Sequence, residues 1–145
     1  MPVEPGLVDA NILVYAVDAD APQHEASRTL LEAAQGGEPA TLYVTSQILC
    51  EFYSIVTNAR RVKKPRSSAD ALTAISSMLG FLRVLPVPAS AVDKLVSLLR
   101  RRPVTGGDIF DLQIVATMKL NRVHRIYTFN AGDFKPFDEI EPLTP

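Results

Sequence analysis

The sequence predicts an α/β layer structure, a mostly parallel central sheet flanked by helices. Two observations carry that expectation. Apolar residues recur at helical spacing in several segments, and short β-branched or aromatic runs lie between them, the alternation that crossover helices and parallel strands produce. The 145 residues, 47% hydrophobic and 21% charged, are enough to bury a core without disulfides or a structural metal, so residues 1–145 are expected to form a single domain.

In chain order, "GLV" at residues 6–8 reads as a short first strand. "PQHEASRTLLEAAQ" reads as a helix opened by Pro22, with Asp20 near its start, and closed by Gly36 and Gly37. "TLYVT" is the second strand. In "SQILCEFYSIVTNAR", Ile48, Phe52, Ile55 and Val56 form an apolar stripe, and Thr45 or Ser46 supplies the cap. Further helices are expected from about Ser68 to Leu82 and from about Ala89 to Arg101, with "RVLPV" as a strand between them. "GGDIFDLQIVATMKL" places apolar residues all around its axis and reads as a helix buried on most sides, and "HRIYTF" is the last clear strand. No internal repeat, low-complexity tract or domain linker is visible, "RRVKKPRSS" being too short to separate domains.

Composition excludes several classes. No apolar run is long enough to cross a bilayer and no export signal opens the chain, so a cytoplasmic protein without a membrane partner is expected. Cys50, the single cysteine, rules out an internal disulfide and a thiolate zinc site, and is expected to be a small buried side chain. A net charge of -1 argues against a chain that coats nucleic acid through its overall field and leaves room for a local basic patch.

"GLVDANILVYA" sets Asp9 and Asn11 inside a run that otherwise reads as core. A carboxylate taken out of water without a partner costs several kcal/mol. Glu51 lies along the apolar stripe of its own helix, three residues after Ile48 and four before Ile55. Asp108 and Asp111 share one face near the start of the "DIFDLQ" helix. Asp108 reads as an N-cap or as a fifth acid of the site, and Asp111 lies a full turn inside. "IYTFNAGDF" ends a strand with Thr128, Asn130 and Asp133 in a glycine-containing turn. Ligands of open parallel sheets gather at the carboxyl ends of the strands, and Asp9, Glu51, Asp111 and Asp133 can all reach that rim.

Two unit charges ~5 Å apart at an effective dielectric of ~20 repel by roughly 3 kcal/mol. Six such pairs approach ~20 kcal/mol, which rivals the ~5–15 kcal/mol stability of a domain. The cluster must therefore hold protons or cations. Oxygen donors without cysteine or histidine suit a hard ion, Mg²⁺ or Mn²⁺, with Asn11 adding a neutral oxygen or a water-orienting amide. Such an ion lowers the pKa of a bound water and stabilises charge on a phosphoryl oxygen, which makes phosphodiester hydrolysis by a metal-activated water the natural reaction.

These residues resemble the PIN-domain ribonucleases, and within them the VapC-type toxins of bacterial toxin–antitoxin pairs. The resemblance is collinear over nearly the whole chain. "LVDANILVYA" is similar to the family's first motif and assigns Asp9 and Asn11. Glu51 in "ILCEFYSIV" matches the second acid, and Asp111 in "FDLQIVATM" matches the third rather than Asp108. Thr128, Asn130 and the Asp133–Phe134 pair in "TFNAGDF" match the fourth motif. The resemblance implies a three-layer PIN-like fold and a magnesium- or manganese-dependent endoribonuclease. It also implies a homodimer, held inactive by a cognate VapB-type antitoxin.

The basic run "RRVKKPR", with Arg60, Arg61, Lys63, Lys64 and Arg66, is a candidate contact for RNA phosphates or an acidic antitoxin tail, set against a solvated helix end. Arg100, Arg101 and Arg102 carry the same pair of readings. His24 and His124 belong to no acidic motif and are expected to pack or face solvent, and Asp18, Asp20 and Asp138 to be loop carboxylates. Two rival functions remain: a non-catalytic RNA- or protein-binding module of the same fold, and a phosphohydrolase with Asp9 as covalent nucleophile. The second lacks the second aspartate of an Asp-x-Asp motif.

Overall fold

The computed structural model describes residues 3–36 and 40–145. Strand β1 (Gly6–Val8) runs into helix α1 (Ala10–Ala16), followed by α2 (His24–Ala33), β2 (Leu42–Val44), α3 (Ser46–Val56) and α4 (Ser68–Met78). Then come β3 (Arg83–Val84), α5 (Ala91–Arg101), α6 (Ile109–Leu120), β4 (Arg125–Tyr127) and β5 (Glu141–Leu143). The five strands form one sheet in the order β3-β2-β1-β4-β5, every neighbouring pair parallel, flanked by the six helices. This is the expected α/β architecture.

Chain order fixes where a crevice opens. From β1 the chain steps to β2 and β3 on one side, then returns to place β4 on the other, with Leu7 opposite Ile126 and Val8 opposite Tyr127. The strand order reverses between β1 and β4, and a sheet of this kind binds ligands outside the carboxyl ends of its strands at such a point. Gly6 permits the close approach of these two strands, since a Cβ there would lie 2.9 Å from the Tyr127 ring and 3.1 Å from the Arg125 carbonyl oxygen. Leu7, Val8, Leu42, Val44 and Ile126 of the strands are fully buried against Ile12 and Leu13 of α1, Ile48 and Phe52 of α3, and Leu112 and Met118 of α6.

Several local expectations change. Helix α1 leaves no mark in the sequence, because "ANILVYA" has no polar face to reveal a 3.6-residue period. Ala10, Ile12, Leu13 and Val14 are all buried. Strand β5 carries no strand pattern either: "EPL" opens on a charge and holds Pro142, tolerated because β5 is an edge strand. "RVLPV" shortens to Arg83–Val84, though the Leu85 amide still donates to the Val44 carbonyl at 2.8 Å. The helix from Ser68 stops at Met78, and the one expected from Ala89 begins at Ala91. Phe110, read as buried, is 52% exposed: the α6 helix enters the core only from Leu112 onward. Gly37, read as a helix terminator with Gly36, lies outside the described residues.

Candidate active site

Asp9 follows β1 and caps α1 from a position 8% exposed. Its carboxylate accepts from the Ala10 amide at 2.8 Å, from Thr128 Oγ1 at 2.8 Å and from Asn11 Nδ2 at 3.4 Å. Even so, burial pushes the Asp9 carboxyl above its ordinary value; the Thr128 and Ala10 bonds oppose that rise and the negative Asp133 adds to it. The hydrogen bonds hold the group in place without neutralising it.

Thr128, fully buried at the end of β4, is the hub opposite. While donating to Asp9, its Oγ1 accepts from Asn11 Nδ2 at 3.3 Å and from the Asn130 amide at 2.9 Å. Asn11 Oδ1 is engaged by the Phe129 amide at 3.1 Å. Asn11 therefore spends both ends of its amide bracing β4 against α1. Asn130 lies on the exposed rim just before the short turn Ala131–Asp133, which carries the exposed Asp133.

Glu51 projects from α3, whose start is fixed by Thr45 accepting from the Ile48 amide at 3.2 Å. Glu51 Oε1 accepts from Gln47 Nε2 at 2.8 Å, and the same nitrogen lies 3.2 Å from the Phe110 carbonyl at the head of α6. Gln47 thus ties the Glu51 helix to the Asp111 helix. It was missed in the sequence, although its place one turn before Glu51 on the same helix was the available signal. Burial raises the Glu51 carboxyl, Gln47 lowers it, and the charge on Asp9 raises it again.

Asp111, in the first turn of α6, is the electrostatic focus. Its carboxyl is pushed up to about 6, first by burial and then by repulsion from Asp133, Asp9, Asp108 and Glu51. Carboxylates from four separate segments act on it, and among the described residues no cation offsets them. Asp108 sits in the short helical turn before α6, exposed, with no capping bond from its side chain. It joins the acidic field and does not serve as the side-chain cap.

Among the described residues, no three carboxylate, histidine or cysteine side chains form a ready-made metal cage. The donor set nonetheless fits a hard divalent cation: Asp9, Glu51, Asp111 and Asp133 offer oxygen alone, and three of them resist ionisation where they stand. Neither histidine joins them. His24 Nδ1 is 2.8 Å from the Tyr15 carbonyl, and His124 is exposed. Cys50 is exposed as well, contrary to expectation, because it lies about 200° round the helix from both Ile48 and Phe52, on the face opposite the buried stripe.

Beside the acids opens a cleft of about 720 Å³ that shares Asn11 and Asn130 with them. Arg61, Lys63, Lys64 and Arg66 line it; Arg60 does not. Arg66 is half-buried and donates through Nη2 to the Val17 carbonyl at 2.7 Å, so it props the wall, whereas Arg60, Arg61, Lys63 and Lys64 are exposed. Among the described residues none of the five is in an ion pair. Arg102 instead lies over the Phe137 ring at 5.8 Å.

Comparison with known proteins finds relatives that share this fold. The sequence pattern of the PIN domain matches residues 6–140. Ribonuclease VapC24 of Mycobacterium tuberculosis is 26% identical over 131 residues, covering 90% of this chain and 89% of that one. Among solved structures, Mycobacterium tuberculosis VapC20, a Sarcin-Ricin loop cleaving toxin, superposes with a TM-score of 0.70 at 16% identity, over 96% of this chain and 98% of the other. VapBC2 from Rickettsia felis, bound to a DNA fragment from its promoter, gives 0.66 at 19% identity, over 97% and 98%. At those identities the structures speak for the fold.

Proposed function

The chain belongs to the PIN-domain family, and from that premise we propose that it is an endoribonuclease toxin, dependent on Mg²⁺ or Mn²⁺ and neutralised by a cognate VapB-type antitoxin. The reading is supported by the ribonuclease relative that spans most of the chain and by the toxin and toxin–antitoxin structures that share its fold. One observation carries it for this chain: Asp111 is repelled by Asp133, Asp9, Asp108 and Glu51 together. A fold gains nothing from such a field unless a cation from outside is to enter it.

Asp9, Glu51, Asp111 and Asp133 would hold the ion. A bound divalent cation supplies positive charge against the phosphate and acidity for the attacking water. The chain's own residues set the stage. Thr128 and Asn11 fix the direction of Asp9, Gln47 fixes Glu51, and the cationic side chains of the cleft wall meet the phosphates of the strand. In the reaction, water oxygen bonds to phosphorus as one ribose oxygen leaves, and the proton released from water is balanced by protonation of that oxygen. Residues 1–145 act as a single domain, in the cytoplasm and as a homodimer. The antitoxin inhibits by covering the acids.

RNA cleavage assays on single-stranded and structured substrates with Mg²⁺, Mn²⁺ or EDTA test the activity. Cleavage with either ion and none in EDTA is expected; no metal-dependent cleavage across a broad panel overturns it. A small protein from the adjacent reading frame that co-purifies and suppresses cleavage identifies the antitoxin.

A further inference from the structure

The cleft has an aromatic side that phosphate contact alone does not explain. Tyr15 of α1 and Phe129 just after β4 both line it, their ring centroids 5.4 Å apart at an interplanar angle of 85°. Both rings are half-buried rather than sunk in the core. Their backbones are held: the Tyr15 carbonyl bonds His24, and the Phe129 amide bonds Asn11, which in turn bonds Asp9. The aromatic wall is therefore two hydrogen bonds from the buried acid. Arg61, Lys63 and Lys64 line the same cleft, and Arg66 ties their segment to the end of α1 through Val17. Asp18 and Asp20 line the cleft as well, and their charge keeps phosphate away from their part of the wall.

We infer that this cleft is a nucleoside subsite. In it, a base of single-stranded RNA next to the scissile phosphate lies against Tyr15 and Phe129, while its backbone runs along Arg61, Lys63 and Lys64. The inference rests on the ribonuclease reading above and adds the place and chemistry of base contact. A cleft of about 720 Å³ is within the range that holds a small ligand, and its lining offers both apolar ring surface and cations, which is the pairing that single-stranded nucleic acid requires. Because Asn11 and Asn130 border both the cleft and the acids, a strand with a phosphate at Asp111 has the neighbouring nucleoside within reach of the rings. The half-buried rings hold a base out of the stack, so paired RNA is excluded from the subsite.

The test uses the full chain in EDTA, with short single-stranded RNAs carrying 5-iodouridine at one position at a time. Irradiation is expected to crosslink one position, next to the cleavage point mapped separately with Mg²⁺, to a peptide containing Tyr15 or Phe129. Phe129→Leu and Tyr15→Leu should each raise the Kd for that RNA about tenfold, the scale of losing one base–aromatic stack. RNA lacking the base at that position should bind wild type and variants alike. Crosslinks that avoid both rings, or an equal loss on the abasic RNA, overturn the subsite and leave the cleft to a protein segment. Crosslinking to a ring peptide needs neither a variant nor cleavage, so it decides whether the rings hold a base even where the variants fold poorly; a chain that crosslinks there and cuts no RNA keeps the base contact and counts against the ribonuclease reading alone.

Discussion

At the amino end of β4, Arg125 lies 3.9 Å from Glu4 and 3.4 Å from Glu141; past its carboxyl end, Asp9 is more deeply buried than either glutamate yet meets only a hydroxyl, amides and the repulsion of Asp133. The same strands thus carry compensated acids at one end and uncompensated acids at the other. Lys119 repeats the first pattern, holding the exposed Glu139 carboxyl below its ordinary value from 3.2 Å. The protein has cations to place and does not place them among Asp9, Glu51 and Asp111. The difference separates charge that the fold settles internally from charge left for a ligand.

Removing an acid from the uncompensated end breaks the contrast most severely. Asp9→Asn and Asp111→Asn should each lower kcat on RNA by at least about a hundredfold, the scale of losing one preorganised electrostatic contact. Each should also raise the metal-free Tm. For Asp111, discounted for solvent screening because it is only half-buried, relief of roughly 1 kcal/mol corresponds to about 3 °C. Calorimetry in EDTA checks the sign, and a lower Tm in both variants would contradict the crowding. Adding Mg²⁺ should reverse the order: at about a hundred times its Kd the ion stabilises the wild type by ~2.7 kcal/mol, and the asparagine variants gain much less.

A pH series sharpens the same contrast. Asp9, Glu51 and Asp111 are all raised, chiefly by burial, so each binds its proton more tightly folded than unfolded. Their contribution is complete below the ordinary carboxylate range and is lost as pH rises through the folded values, about 6 for Asp111. Metal-free stability due to this end should therefore fall from about pH 4 to pH 7, and Asp111→Asn should flatten the slope. Glu139 acts in the opposite direction, its stabilisation fading as pH drops through its lowered value.

Smaller effects test the supports. Gln47→Leu removes the donor that holds Glu51 down, so the Glu51 carboxyl should rise further, shifting the metal-free titration of Glu51 followed by NMR upward and cutting kcat by about tenfold, the low end for losing a group that orients a metal-holding side chain. Arg125→Gln, at the compensated end, should cost no more than about 1 kcal/mol and leave cleavage unchanged.

The sequence made the acids legible for a physical reason: a charged residue in an apolar frame is an anomaly that composition alone exposes, and Asp9, Glu51 and Asp111 each interrupt such a frame. The alternation of strand and helix patterns likewise revealed the parallel sheet. Helix α1 stayed hidden because apolar residues on nearly every side erase its period, and β5 because a three-residue edge strand with Pro142 carries no pattern. Gln47, Tyr15 and Phe129 went unnoticed for another reason. Their roles depend on which partners tertiary packing supplies: the Phe110 carbonyl for Gln47, and each other for the two aromatic rings.

Gly6 stands at the far end of β1 from Asp9, in a strand three residues long. So short a strand transmits displacement like a rigid lever. A side chain at position 6 would wedge against Tyr127 and Arg125, tilting β1 away from β4, and the 2.8 Å bond between Thr128 and Asp9 would feel the tilt at the opposite tip. The missing methyl group thus gauges the width of the acidic mouth from its distant hinge.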